Sequence, residues 1–537
     1  MTKEGFLFII KMHLLKYELI IIMHFVQRGV LTMKKIKLIA AISAVSAVFS
    51  SCKNTGDVSS SAASEIAKTT ALNQTYEIVI EAEDGKMSGD VHSANGRQGY
   101  SGSGYATGFT QKSTNSWSYE VNIPESGHYD FTVRCGADEY KAFKITANGK
   151  DIGECSTKGD KKFNDVEIKS VYLEKGDCKV SLIEGWGWFD LDKITIKKGE
   201  GISSEIYKNV DSVPINPNAN EKTKKIMKYL AENYGKKVLS GQYTNHGYST
   251  ETDAIYAATG KYPAIRGFDF IFYSPSIKMQ GKDTNLAIEW SKKGGLCTFS
   301  WHWFAPMDKA EFYTEKTNFD FSKAVTDKDI ALKSLDELKQ MLDKGEITEE
   351  CYYICRDIDA ISEQLKILEK NNVTVLWRPL HEAGGGWFWW GSKGAENYKW
   401  LWRLLYERQT KYHKLNNLIW VYNGQKGDWY VGDDLCDIIG EDIYPDKHCY
   451  EAQGKRFLDA VGYSGKKIVA LTENGVIPDI DLIERDNVYW SWFNTWCREF
   501  IVDGSGNISE EYTEKSMLQK VYNSDKVITL DELPDFD

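Results

Sequence analysis

Proline is scarce in this chain, with 10 residues in 537. Together with 42% hydrophobic and 27% charged residues, that scarcity excludes a collagen-like or largely disordered polymer. Surplus positive charge is missing as well. A net charge of -11 argues against nucleic acid as a partner, because phosphate binding needs a cationic surface. The cysteines form no C-x-x-C pair, which removes a zinc ribbon or a thioredoxin-like site. No H-E-x-x-H stretch occurs, and no strand-like run leads into a phosphate-binding glycine loop. Gly384-Gly385-Gly386 follows such a run, but it opens onto Trp387-Phe388-Trp389-Trp390.

Aromatic residues are abundant instead, at 13% of the chain, including 17 Trp and 30 Tyr. Flat rings suit the C–H faces of sugars, and they also fill large cores, so their clustering has to decide between the two. The length implies at least two domains.

Residues 1–32 are apolar but broken by Lys11, Lys16 and Glu18, a poor bilayer span, and read as translation assigned upstream of the true start at Met33. From Met33, a Lys-rich start, the apolar run Leu38 to Phe49 and Ser50-Ser51-Cys52 form an export signal over residues 33–52. Small residues leading into Cys52 resemble a bacterial lipoprotein signal, which implies acylation of Cys52 and a cell-surface or outer-membrane lipoprotein; the alternative is plain secretion. Residues 53–75, rich in Ser, Ala and Thr, form a flexible tether. Beyond Cys52, nine cysteines remain, an odd number that leaves at least one thiol free and room for one or two disulfides.

Residues 76–198 alternate short β-type runs with turns, for example Tyr76–Ile80, Trp117–Val121, His128–Val133, Phe143–Thr146 and Lys193–Ile196, and predict a β-sandwich. Glu81-Ala82-Glu83-Asp84-Gly85, Gly99-Tyr100-Ser101-Gly102-Ser103-Gly104-Tyr105 and Trp188-Phe189-Asp190-Leu191-Asp192 are similar to carbohydrate-binding modules of family 35 and their jelly-roll relatives. That resemblance implies a structural calcium ion held by Glu81, Glu83 and Asp192, a set of hard oxygens suited to it. Trp186 and Trp188, two residues apart and so on one side of a strand, are the expected sugar contacts.

Residues 199–220 are polar, carry Pro214 and Pro217, and read as an interdomain connector. From about residue 213 to 537, apolar runs alternate with amphipathic helical stretches such as Glu396–His413. Eight runs, namely Val238–Gln242, Tyr262–Phe270, Gly295–Trp303, Thr374–Glu382, Leu418–Gly424, Ile438–Tyr444, Lys467–Gly475 and Asn487–Trp496, predict a (β/α)8 TIM barrel. In such barrels chemistry sits where strands end. Glu382 closes the fourth run and Glu473 lies near the end of the seventh. Two carboxyl groups at one barrel mouth are what glycoside hydrolysis requires, one to donate a proton and one to act as nucleophile or to activate water.

Trp377-Arg378-Pro379-Leu380-His381-Glu382 with Trp387, Thr472-Glu473-Asn474-Gly475, Ser240-Gly241-Gln242, Trp301-His302-Trp303 and Glu441-Asp442-Ile443-Tyr444-Pro445 resemble glycoside hydrolase family 26. The resemblance implies a retaining endo-β-1,4-mannanase acting on mannan, glucomannan or galactomannan, with Glu382 as acid/base and Glu473 as nucleophile. It places His302 beside the glycone, His381 and Tyr444 in hydrogen bonds around the nucleophile and sugar, and Trp387 as a stacking face. Trp490 counts among the expected sugar contacts, and Phe388, Trp389, Trp390 and Trp492 could extend the cleft or fill the core. Arg378 is read as structural or as a donor near the acid/base, and Asp269 as a distal sugar contact. No cofactor is expected for catalysis, a β-mannan-type polysaccharide is the expected partner, and a monomer the expected state. Activity on β-1,3-xylan or mixed-linkage β-glucan, which the two motifs do not separate from mannan, stays open, as does a non-catalytic glycan-binding surface lipoprotein.

Overall fold

Strands of alternating burial make up the first domain in the computed structural model, which describes residues 76–277, 281–307 and 311–537. The expected upstream start, the signal, the Cys52 lipidation site and the tether, all within residues 1–75, lie outside the described residues. Eleven strands follow in order: β1 (Glu77–Glu81), β2 (Lys86–Ser88), β3 (His92–Ala94), β4 (Tyr105–Thr107), β5 (Ser116–Ile123), β6 (Gly127–Gly136), β7 (Ala142–Ala147), β8 (Lys150–Ser156), β9 (Phe163–Leu173), β10 (Gly176–Ile183) and β11 (Asp190–Lys198). They form two antiparallel sheets, β3-β4-β11-β6-β9 with β1 on β11, and β2-β5-β10-β7-β8. Period-two patterning explains the sandwich. Tyr129, Phe131, Val133 and Cys135 of β6 are all buried while the residues between them are partly exposed, so every second side chain enters the core.

The second domain is a closed barrel of eight parallel strands: β13 (Gly241–Tyr243), β14 (Ile265–Asp269), β15 (Leu296–Ser300), β16 (Val375–Arg378), β17 (Leu418–Tyr422), β18 (Ile438–Ile443), β19 (Ile468–Asn474) and β20 (Phe493–Thr495). The expected first run is divided. Val238–Leu239 forms β12, which pairs outside the barrel with β21 (Val527–Ile528), and the barrel strand starts at Gly241. Barrel strands are buried on both faces, by side chains inside and helices outside. Helices begin where the sequence supplies caps: Asn220 accepts from the Thr223 amide, Ser334 and Glu337 make a capping box, and Thr348 accepts from the Cys351 amide. The helix expected from Glu396 to His413 runs over Ala395–Glu407 and closes in a π-turn at Arg408–Tyr412.

The connector is a packed strap. Ile202 and Tyr207 are buried in the barrel's apolar cluster, and the Tyr207 hydroxyl donates to the Asn487 carbonyl at 2.6 Å. The Ile215 amide donates to Asp437 at 2.6 Å. The sandwich also touches the barrel directly, through Lys150–Glu451 at 2.6 Å, His128–Asp486 at 3.2 Å and the Arg485 guanidinium 4.3 Å from the Tyr172 ring centre. All nine described cysteines are free thiols, so the disulfides that export would permit do not occur among the described residues.

Candidate active site

Strand β16 delivers Glu382 through a strained turn. Leu380 and Glu382 both adopt left-handed backbone, with φ of 52° and 54°, a conformation that costs non-glycine residues energy and clusters at functional sites. The Glu382 amide is held twice by Asn423, by its backbone carbonyl at 2.7 Å and its side-chain oxygen at 3.0 Å. Trp387 folds back so that its indole N–H donates to Glu382 Oε2 at 3.0 Å. Gly385 makes this fold-back feasible, since a Cβ there would lie 1.8 Å from the Trp387 ring.

Glu473 arrives on β19, where the register against β18 shifts between Glu441–Leu471 and Asp442–Glu473. Strict alternation would send Thr472 and Glu473 to opposite faces. The extra residue lets both enter the interior network: Thr472 Oγ1 donates to Asp442 at 2.7 Å, and Glu473 binds the Arg378 guanidinium. Arg378, fully buried, also donates to Asp442 at 2.6 Å and to the Tyr243 hydroxyl at 3.1 Å. The Tyr444 hydroxyl donates to Glu473 Oε2 at 2.7 Å.

Glu382, Asp442 and Glu473 therefore converge, each offering an oxygen within 4.8 Å of the others. Three acids share one arginine, so the cluster cannot ionise fully without uncompensated charge. Burial and the neighbouring Asp442 push Glu382 up to about 7, with Arg378 and the Trp387 indole opposing. Burial raises Glu473 too, to about 8, with Asp442 and Glu382 adding to it against Arg378 and the Tyr444 hydroxyl, so both acids hold a proton more readily than a free carboxyl. The donors decide where the shared proton sits. Glu473 receives a guanidinium and a phenol, whereas Glu382 receives one neutral indole N–H, so the anion settles on Glu473 and the proton on Glu382. Desolvation of its hydroxyl, in a side chain that is otherwise 44% exposed, and the facing Glu473 and Glu382 raise Tyr444 well above its ordinary value, which keeps it a donor.

Several expected residues have other places. Trp490 is fully buried, donates to the Ala452 carbonyl at 2.9 Å and packs on Phe457, so it is a core residue and cannot stack on sugar. Trp389, Trp390 and Trp492 are buried as well. His381 is buried and makes no bond to Glu473; its ring lies against Phe388 and Trp390, its Nδ1 has no partner, and burial with the nearby Arg378 holds it neutral. Asp269 is 2% exposed and binds His302, so it is not a distal sugar contact. Arg378 binds Glu473 and Asp442 rather than Glu382. The His302 ring lies 5.2 Å from Phe312, 5.6 Å from Phe388 and 5.9 Å from Trp496.

Sequence reasoning gave no role to Asp442, Asn423, Tyr243 or Trp496. Each ends or follows a barrel strand, and that position was the available signal.

In the sandwich, Glu81, Glu83 and Asp192 gather around the loop Gly99–Tyr105. Ser101 bridges Glu81 at 2.7 Å and Asp192, whose Oδ1 takes the Ser101 amide at 2.8 Å. Glu83 Oε1 takes the Gly104 amide at 3.0 Å, while its Oε2 is buried without a partner. Arg134 pairs with Asp192 at 3.0 Å. Trp186 and Trp188 are 36% and 57% exposed. They project from the turn between β10 and β11 rather than from a strand, with Gly185, Gly187 and Trp188 all at positive φ. Exposed Tyr140 meets Trp186 edge-on at 5.4 Å.

An eight-stranded parallel barrel whose fourth and seventh strands bring two carboxyl groups together beside a histidine and exposed rings defines a glycoside hydrolase. The chain belongs to glycosyl hydrolase family 26, whose model matches residues 215–532, and it carries a carbohydrate-binding module of family 35 over residues 78–199. It is 36% identical over 473 residues to mannan endo-1,4-beta-mannosidase B of a Piromyces species, covering 86% of this chain and 78% of that protein. A Podospora anserina GH26-CBM35 beta-(1,4)-mannanase superposes with a TM-score of 0.57 at 32% identity, covering 86% of this chain and 99% of that one. A ruminal GH26 endo-beta-1,4-mannanase gives a TM-score of 0.59 at 31% identity with the same coverage of both chains.

Proposed function

We propose that this enzyme is a retaining endo-β-1,4-mannanase that cleaves mannan, glucomannan or galactomannan by double displacement. The observation that carries the mechanism is the approach of Glu382 and Glu473 to within 4.8 Å. So close an approach of two carboxyl oxygens favours direct attack, as in retaining pairs about 5–5.5 Å apart, over the gap of about 6.5–9.5 Å that inversion keeps for water. Glu473, ionised under Arg378 and Tyr444, attacks the anomeric carbon while protonated Glu382 donates to the departing glycosidic oxygen. The glycosyl-enzyme then forms on Glu473. Glu382, now a carboxylate, takes a proton from water as it attacks the same carbon, and Glu473 leaves as the carboxylate. Mannan as substrate is supported by the activity named for the relatives above.

Trp186 and Trp188 supply the sugar-binding rings of the module. Calcium fits its acidic loop, because Glu83 carries a buried, unpartnered carboxylate oxygen and Glu81 and Asp192 add hard donors. Glu81, Glu83 and Asp192 would hold the ion, which would supply positive charge to offset their carboxylates. The protein is exported and anchored through acylated Cys52, acting as a monomer.

The test is product analysis. The mature chain is incubated with galactomannan, glucomannan, β-1,3-xylan and lichenan, beside Glu473→Ala. Manno-oligosaccharides from wild type alone support the reading; products only from xylan or lichenan redirect the substrate, and activity surviving in Glu473→Ala overturns the nucleophile.

A further inference from the structure

His302 reaches the barrel mouth from the end of β15, and what holds it is an acid that never meets solvent. Asp269 closes β14 and is 2% exposed. Its Oδ1 accepts the Ile271 amide at 2.8 Å and the His302 amide at 3.0 Å. Its Oδ2 accepts the Ser300 hydroxyl at 3.0 Å and contacts His302 Nδ1. Four donors thus occupy the four acceptor positions of one carboxylate, which leaves no place for a proton on it. Burial works to raise Asp269, but His302, with His246 behind it, holds it down at about 2.

A carboxylate without a proton can only accept. The hydrogen between the two side chains therefore belongs to His302 Nδ1, and in the neutral ring Nε2 carries the lone pair. Among the described residues, no donor or acceptor engages Nε2. The ring is flanked by His381 at 4.6 Å, Phe388, Phe312 and Trp496, so it stands in a largely aromatic frame, and His381 is the residue next to Glu382. A hydrogen-bond acceptor in such a frame selects a donor, and the donors a neutral glycan carries are its hydroxyl groups.

We propose that Asp269 is a positioning residue that locks the tautomer of His302, so that Nε2 accepts a hydrogen bond from a hydroxyl of a bound sugar. The sugar contact rests on the glycosidase reading above, whereas the tautomer does not. Asp269→Asn keeps the shape and reverses the logic: the carboxamide can donate to Nδ1, which moves the ring hydrogen to Nε2 and turns an acceptor into a donor.

The experiment is nitrogen-15 NMR of the full chain with labelled histidine, His302→Gln assigning the resonance, alongside kinetics on soluble manno-oligosaccharides. Wild type should show a protonated Nδ1 and an unprotonated Nε2 at His302. Asp269→Asn should show the opposite tautomer and lose about 10- to 100-fold in kcat/KM, the effect of one unsatisfied buried contact, with its melting transition intact. Should Asp269→Asn fail to fold, Ser300→Ala, which removes one donor to Asp269, should keep the wild-type tautomer and lose no more than a few-fold. A hydrogen on Nε2 in the wild type overturns the proposal, as does a reversed tautomer in Asp269→Asn with kcat/KM unchanged. No hydrolysis by wild type would defeat the functional reading instead, and the spectrum would still decide the tautomer.

Discussion

Two carboxylate triads, one in each domain, solve the same electrostatic problem in opposite ways. Glu81, Glu83 and Asp192 surround a loop whose amides and hydroxyls meet their oxygens one by one, and Arg134 neutralises the most buried of them. Glu382, Asp442 and Glu473 are instead pressed together by rigid strands around one arginine and are left to share protons. The first arrangement spreads its charge over separate donors; the second stores a proton beside an anion. Backbone donors from a loop can relax around charge, whereas strand ends fixed by barrel closure cannot, and there burial beside Asp442 raises Glu382 to about 7.

Breaking the barrel triad should have the largest effect. Glu382→Gln, which cannot donate a proton, should lower kcat on mannan by about 10²- to 10⁴-fold. It should spare substrates with an activated aryl leaving group in the first step, which a burst of released phenol would reveal. Next comes Arg378→Met, which strands two buried acids and should cost about 3–5 kcal/mol in chemical denaturation. The equivalent Arg134→Met should cost less, because loop donors remain on Asp192.

A pH series sharpens the contrast. Glu382 is raised in the folded state from an ordinary 4.5 to about 7, so stability is full below about 4.5 and falls as pH rises toward 7, where the unfolded chain ionises first. Glu382→Gln should therefore equal wild type near pH 4 and exceed it at pH 8 in thermal melts. The smallest effect belongs to the module: chelation of calcium should lower its melting transition by a few degrees, and hydrolysis of short soluble chains should persist.

The strand ends were readable in the sequence because an apolar run that stops at a polar residue marks a barrel mouth, and Glu382 and Glu473 were found that way. Trp490 was misplaced for a physical reason. The apolar run from Asn487 to Trp496 reads as one strand, whereas β20 spans only Phe493–Thr495, so Trp490 precedes the strand and packs on Phe457. Asp442 stands near the end of β18, but its role rests on contacts to Arg378 and Thr472 from other strands, which no periodicity announces. The burial of Asp269 behind His302 depends on two neighbouring strands, and the packing of Ile202 and Tyr207 depends on a distant surface. In the module, the turn carrying Trp186 and Trp188 needed positive φ at Trp188 itself, where the spacing had suggested a strand.

The division of labour between the two glutamates is tested most directly by trapping the intermediate. A 2-deoxy-2-fluoro mannosyl substrate with a good leaving group slows release of the sugar from the enzyme, and digestion followed by mass spectrometry locates the label. The account predicts one adduct, on the peptide bearing Glu473, that forms in Glu382→Gln as well. A label on Glu382, or full turnover without any covalent species and with inverted products, would contradict it.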